Sequence, residues 1–546
     1  MESYDDINSM VMFWFDNKNK WFDSTPEFDA EISTRFAPLL LKYDISRLCK
    51  NVIKYIEDRF VLSIGLIILH DQIPRHIYRD IYRHIYTDEN REQIDKHLYD
   101  ILDFAKSFYI KNKYDITEEY FCFALLPFRH TNNFDNIMFV IEETKSRIKI
   151  NKNNLVYKKF LKATLDRYIK FNNDKSNIIL SNTLDNTTMI IDKTQICEKE
   201  LITYTPLSFD KLNENIKNND IPKYIIEFID IIKKNNIVDN GIISLSGGVD
   251  SMVLSYFLKY IGVNIVALHI NYNNRKECLD ECNIIHQWCD FINTKLYIRK
   301  IIEINRKDMM EWNSRDLYET YTRDIRYNAY INLCHNNNIF MGHNHDDQFE
   351  NIFTNIVSES HYNNLRGMTI STTQTFKQEK ITFIRPMLNV PKKIIYKIAS
   401  YIGIPYFKDS TPKWSQRGKI RDNIRPQIDE WDPRAITSFF KLSDKMSELV
   451  QIAEILAKTI SNQIQSTKMW TLDLNESHPK MLYELIFKHL SIHMTQKSIQ
   501  VFYEKLNFIK INKQKYKLNS IEKITLNKEH IINWKNMNDM NIIIYF

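Results

Sequence analysis

Through the middle of the chain, short apolar runs alternate with longer stretches whose apolar residues recur every three or four positions. The runs Gly241–Leu245, Ile265–Ile270, Lys295–Arg299, Ile339–Gly342 and Ile381–Ile384 predict strands. Periodic stretches at about 277–292, 317–336, 346–357 and 391–402 predict the helices between them. That alternation predicts a mainly parallel sheet with its ligand at the carboxyl ends of the strands. The first 170 residues read instead as long amphipathic helices with one glycine. From 427 to 546 there is no glycine, and helical spacing recurs in 436–460 and 480–508. Short strand-like runs follow at Tyr516–Leu518, Ile521–Leu526 and Ile542–Tyr545. The expected architecture is therefore multidomain. An all-α domain spans 1–170, a polar linker 171–221, an α/β domain 222–430, and a mainly helical region with a few short strands 431–546.

The first strand ends in Ser246-Gly247-Gly248-Val249-Asp250-Ser251, and a helix pattern follows at once. The chain has 9 glycines in 546 residues, and two of them stand side by side here. Adjacent glycines let backbone approach an anion, and the N–H groups opening the next helix then point at it. No lysine follows the glycines, so this is not a Walker A loop. The sequence resembles the PP-loop of the ATP pyrophosphatases, which cleave between the α- and β-phosphates. That resemblance implies ATP held by Ser246, Gly247, Gly248, Val249 and Ser251, with Asp250 holding Mg²⁺ against the phosphates.

Two further segments carry chemistry. Glu319, Arg323 and Arg326 would share one helix face, projecting two guanidinium groups and a carboxylate together; taken alone, a solvated ion pair is the better explanation. In Gly342-His343-Asn344-His345-Asp346-Asp347-Gln348-Phe349-Glu350-Asn351, Asp347 and Glu350 would share a face. Two carboxylates can bind an ammonium group, share a metal ion or act as a base. The alternatives are that Asp346 or Asp347 caps the helix, or that His343 and His345 bind zinc, for which a third ligand is lacking.

In order, these segments resemble the tRNA(Ile)-lysidine synthetase family from about 222 to 546, most specifically over 241–426. The family pattern appears as Ser246–Ser251, His269-Ile270-Asn271-Tyr272, Glu319–Tyr327, Gly342–Asn351, Leu365-Arg366-Gly367-Met368, Ile384–Leu388 and Arg421-Asp422-Asn423-Ile424-Arg425. Tyr272, Asn351 and Asp422 depart from it. The resemblance implies that ATP adenylates a wobble cytidine in the anticodon loop of an isoleucine tRNA, and that free lysine then displaces AMP. Asp250, Asp347, Glu350, Arg323 and Arg326 would be catalytic, and His269 would join the nucleotide site. A basic cluster, Lys413, Arg417, Lys419, Arg421 and Arg425, would meet RNA, with Trp414 available for stacking. A tRNA thiolase is the alternative enzyme, but the seven cysteines form no C-x-x-C pair. A decayed PP-loop scaffold is the non-enzymatic alternative.

The N-terminal part, over about 10–165, resembles a bacterial family of unknown function with a tetratricopeptide-like helical fold. The resemblance rests on Met12-Phe13-Trp14-Phe15, Trp21-Phe22, Leu69-His70-Asp71-Gln72-Ile73-Pro74-Arg75 and Leu126-Pro127-Phe128-Arg129-His130. Asp71, Gln72, Arg75, Arg129 and His130 form either a polar site or a buried brace. The family supplies no activity. A protein partner on this domain and a homodimer both stay open.

Formal charge is +6, so nucleic acid would need a local basic patch rather than a global field. The cysteines lack disulfide spacing, the acidic start reads as no signal peptide, and no apolar run is long enough to span a membrane. A cytoplasmic protein is the expectation.

Overall fold

The computed structural model describes residues 4–21, 25–79, 87–171, 179–180, 201–202, 205–274, 278–333, 338–358, 365, 367–408, 416–473, 478–512, 515, 517, 521–526, 531–537 and 541–545. Contacts divide the chain into two units. One comprises Met1–Met341, Thr373–Ile384 and Ile398–Lys408; the other comprises Gly342–Thr372, Arg385–Lys397 and Asp409–Phe546.

The first unit begins with helices from Asp5–Asp16 to Leu155–Phe171, as the apolar spacing predicts. Side-chain oxygens of Thr25, Thr87 and Asn133 accept from backbone N–H groups three residues on, which fixes three of the helix starts. The helix Phe60–Asp71 is buried at every position from Leu62 to Asp71, so it runs through the centre of this domain.

The α/β part is a seven-stranded sheet. Its strands are β1 (Ile179–Leu180), β3 (Asn240–Ser244), β4 (Asn264–Asn271), β5 (Leu296–Lys300), β6 (Asn338–Phe340), β7 (Ser371–Phe376) and β8 (Glu379–Ile384), in the spatial order β1-β5-β4-β3-β6-β8-β7. The pairs β5–β4, β4–β3, β3–β6 and β6–β8 are parallel, as expected. β1 joins β5 antiparallel from within the stretch read as linker. That stretch also carries β2 (Leu201–Ile202), paired with β9 (Tyr406–Phe407), and a helix Phe209–Lys217 capped by Ser208. The Tyr256 hydroxyl ties it down by donating to the Leu207 carbonyl at 2.8 Å.

The helical domain and the sheet share one core. The helix Leu155–Phe171 packs on Arg315–Leu333, and a continuous buried cluster runs from Trp14 through Leu165 and Tyr168 to Tyr321, Tyr330 and Phe383. Each large side chain fully buried there contributes about 1.5–3 kcal/mol. At the edge of this junction Lys152 pairs with Glu311 at 2.6 Å.

In the second unit, Phe349, Ile420 and Ile436 form a small core with Phe353, Phe439 and Phe440. Farther along, helices Arg434–Thr467, Lys480–His489 and Gln496–Ile511 accompany a four-stranded sheet of β10 (Met469–Asp473), β11 (Ile521–Thr525), β12 (Ile531–Asn536) and β13 (Asn541–Tyr545), ordered β10-β13-β12-β11. The strand-like runs at 521 and 542 appear where expected. β10 and β12 escaped the sequence reading, although Trp470 and Leu472 alternate inward along β10. Tyr516–Leu518 lies largely outside the described residues.

Candidate functional site

The Ser-Gly-Gly turn leaves β3 with Gly247 at φ 78°, a left-handed conformation that favours glycine. The loop is braced from within. Ser246 N–H donates to Ser251 Oγ at 3.1 Å, Ser251 Oγ donates to the Gly248 carbonyl at 3.0 Å, and the two serine hydroxyls lie 3.2 Å apart. From outside, Phe407 N–H donates to the Gly247 carbonyl at 3.0 Å. Gly248 is the N-cap of the helix Val249–Tyr260, and no side chain caps that start, which is the arrangement of a helix N-terminus that receives an anion.

His269 lies on β4 beside this turn. It is 4% exposed, its Nδ1 lies 2.9 Å from the Leu245 carbonyl, and its Nε2 is buried without a hydrogen-bond partner. Burial holds its pKa below the ordinary histidine value, so the ring is neutral at pH 7. An orphaned neutral imidazole next to an uncapped phosphate-type loop fits a nucleotide.

The arginine helix departs from expectation. Glu319 pairs with Arg315 at 2.6 Å, while Arg323 is exposed and reaches Asp324 at 3.2 Å. Arg326 turns inward, with Nε buried and lacking a partner. The three side chains therefore form no single cluster, because Arg315, which the sequence reading overlooked, competes for Glu319. Tyr330, also unforeseen, donates from its hydroxyl to Ser244 Oγ at 3.0 Å and so reaches the end of β3 from this helix.

In the second unit the helix His345–Val357 opens with a reciprocal cap. Asn344 Oδ1 accepts from the N–H groups of Asp346 and Asp347, and Asp347 Oδ2 accepts from Asn344 N–H at 3.1 Å. Asp347 does cap the helix, yet its other oxygen faces Arg421 at 3.6 Å. Glu350 is 2% exposed; its Oε1 accepts from Arg421 at 2.8 Å, and its Oε2 is buried without a partner. Burial pushes the Glu350 pKa up, Arg421 pulls it down, and Asp347 adds to the rise. Arg425 pairs with Asp346 at 3.3 Å. Two arginines assigned to RNA from the sequence thus hold the carboxylate helix in this structure. Arg417 and Lys419 are exposed nearby in sequence, while Lys413 and Trp414 lie outside the described residues.

His343 and His345 show no metal geometry. His343 Nδ1 accepts from Arg385 Nε at 3.2 Å, and His345 lies tilted against Phe440 with 4.2 Å between ring centres. Arg385, buried and also bonded to the Thr369 carbonyl, is a polar anchor to which the sequence reading gave no role. Among the described residues no group of three or more His, Cys, Asp or Glu could hold a metal ion. Mg²⁺ needs no such cage, since it binds through one or two carboxylates plus substrate phosphates, and Asp250 at the loop fits that mode. Of the cysteines, Cys282 and Cys289 are buried, and burial pushes the Cys289 thiol up to about 12.

Residues 222–428 match the PP-loop domain family, and residues 10–181 match a bacterial protein family of unknown function (DUF924). The chain therefore carries a PP-loop domain behind a domain of that bacterial family. The tRNA(Ile)-lysidine synthase of Chlamydia muridarum is 27% identical over 234 residues, which cover 41% of this chain and 70% of the relative. That of Staphylococcus aureus (strain MRSA252) is 26% identical over 232 residues, covering 41% of this chain and 52% of the relative. Among solved structures, the U34-tRNA thiolase NcsA from Methanococcus maripaludis with its [4Fe-4S] cluster matches at 18% identity and a TM-score of 0.32, covering 41% of this chain and 80% of that one. Among the described residues no helix is long and apolar enough to cross a membrane.

Proposed function

We propose that this protein is an ATP-dependent tRNA-modifying ligase of the lysidine synthase type. The observation that carries the reading is the uncapped Ser-Gly-Gly turn with the orphaned His269 beside it, in a segment similar to the lysidine synthases of Chlamydia and Staphylococcus. In this reading Ser246, Gly247, Gly248, Val249 and Ser251 hold the phosphates of ATP, and Asp250 holds Mg²⁺. When bound, the ion offsets the charge that builds as pyrophosphate leaves.

The cytidine O2 attacks the α-phosphorus, the bond to the β-phosphate breaks, and pyrophosphate departs. The ε-amine of free lysine then attacks C2, the C2–O bond breaks, AMP leaves carrying that oxygen, and the nitrogen gives up its proton. Glu350 suits the second step because its carboxyl pKa is raised and one oxygen lacks a partner. Asp347 is the second acid on that helix and would attract the lysine ammonium. Arg326 and Arg323 would meet RNA or phosphate, and the exposed Arg417 and Lys419 would meet the tRNA, while Arg421 and Arg425 position the carboxylates. A cytoplasmic setting follows from a tRNA substrate.

The test is pyrophosphate release from ATP with bulk tRNA, with and without lysine. Dependence on tRNA and on Asp250, with label from lysine entering tRNA, is the expected result. Release without lysine incorporation would point to another nucleophile.

A further inference from the structure

The N-terminal helical domain holds a polar cluster that the ligase reading does not use. Asp71, 1% exposed at the end of the helix Phe60–Asp71, accepts from Arg75 at 3.2 Å and faces His130 Nδ1 at 2.8 Å. Gln72 also donates to it. Arg167, from the helix Leu155–Phe171, donates to the His130 carbonyl at 3.0 Å and to Asn132 Oδ1 at 3.1 Å.

Arg129 is different. Its guanidinium lies 4.9 Å from the centre of the Phe160 ring and makes neither a hydrogen bond nor an ion pair among the described residues. Burial, reinforced by the nearby Arg167 and Arg75, holds its pKa down to about 10, with Asp71 opposing. Three guanidinium groups therefore converge from three helices, and Asp71 engages one of them by ion pairing. Asp95 acts on Arg167 from the helix Asp88–Asn112 without reaching ion-pair distance. Asp71 is the carboxylate that acts most strongly on Arg129, yet it bonds directly to Arg75 and His130, so one carboxylate serves three guanidinium groups and positive charge is in excess among the described residues.

His130 adds a distinction. Its pKa is held down to about 4, chiefly by burial, so the ring is neutral at pH 7. With the Asp71 carboxylate facing Nδ1, that nitrogen carries the proton and Nε2 is left as an acceptor.

We propose that the side-chain cluster of Arg75, Arg129, Arg167 and His130 is a binding site for a small phosphoryl anion, either free phosphate or the phosphate of a small monoester. The arginines supply the forked donors that phosphate oxygens take. His130 Nε2 accepts from the P–OH that a phosphate retains near its second pKa of about 6. The cluster suits a small anion better than a nucleic-acid backbone, because His130 is only 17% and Arg75 only 23% exposed.

The test uses the full chain carrying Gly247→Val, so that the PP-loop does not compete. Isothermal titration with inorganic phosphate, glycerol phosphate and sulfate at matched ionic strength reads the site directly. One phosphate site is expected, with sulfate, which has no proton to donate, about tenfold weaker. Glycerol phosphate binding as well as phosphate would mark the monoester as the ligand, and binding of phosphate alone would mark the free ion; both support the site. Arg129→Gln and Arg167→Gln should each weaken phosphate binding about ten- to a hundredfold while the helical circular dichroism stays unchanged. In the chain with an intact loop, the same substitutions should remove one phosphate site and spare the other. No phosphate binding in the Gly247→Val chain would overturn the proposal, as would binding that survives both arginine substitutions. Sulfate binding as tight as phosphate would overturn the role of His130 and with it the phosphoryl assignment.

Discussion

At Gly247 the chain offers a sharp residue-scale test. A Cβ there would lie 3.2 Å from the Phe407 ring and 3.4 Å from Ile285, on a backbone with φ 78°. Gly247→Val should lower stability by about 1–3 kcal/mol and abolish ATP binding; equilibrium unfolding and nucleotide titration read the two separately. Unchanged ATP affinity would remove the loop from the nucleotide site. Arg421 offers a second test. Glu350 carries a raised pKa, so its protonated form favours the fold, and that contribution is lost as pH rises through the folded value. Arg421 limits the loss by pairing with the ionised form. Arg421→Gln should therefore cost about 1–3 kcal/mol at pH 7, discounted from a fully buried pair because Arg421 is 36% exposed. The gap should close as pH falls and Glu350 takes up its proton. A gap that stays constant with pH would show that the arginine acts through packing alone.

At the scale of elements, the helices Phe60–Asp71 and Glu118–His130 bury His70 and His130, each with a pKa held down to about 4, burial being the main cause. A depressed folded pKa gives stability that is fully present above the unfolded value near 6.5 and lost as pH falls through 4. Each ring should account for on the order of 2–3 kcal/mol over that window. Protection factors of the amides in these two helices should fall between pH 6.5 and 4.5, and flat protection factors would contradict the neutral, buried assignment. Such elements were legible wherever one face is apolar and the turn chemistry is strong. The parallel strands and the Ser-Gly-Gly turn are of this kind, because strand, glycines and helix all specify one conformation locally. The destination of Glu319 was not legible, since Arg315 and Arg323 stand at equal spacing on either side of it. The partnership of Arg421 with Glu350 was not legible either, because a pairing 71 residues apart in sequence leaves no local periodic signal. The segment 201–217 reads as linker with an apolar island at Leu201–Ile202, and its anchoring points, that island against β9 and Leu207 against Tyr256, are long-range pairings that leave no local signal.

Across the whole molecule, the first unit joins the N-terminal helices and the sheet through one buried cluster, so those helices are structurally part of the α/β core. The helices Leu155–Phe171 and Arg315–Leu333 should exchange their amides at similar free energies and lose structure in one transition; separate transitions would show two independent domains. The central claim is the chemistry itself. The measurement that tests it most directly is the transfer of radiolabelled lysine into tRNA by the purified protein with ATP, alongside Asp250→Ala. The account predicts tRNA-dependent pyrophosphate release matched by incorporated lysine, with both lost in the variant. Pyrophosphate release equal in the variant, or an absence of lysine incorporation across the full tRNA pool, would contradict it.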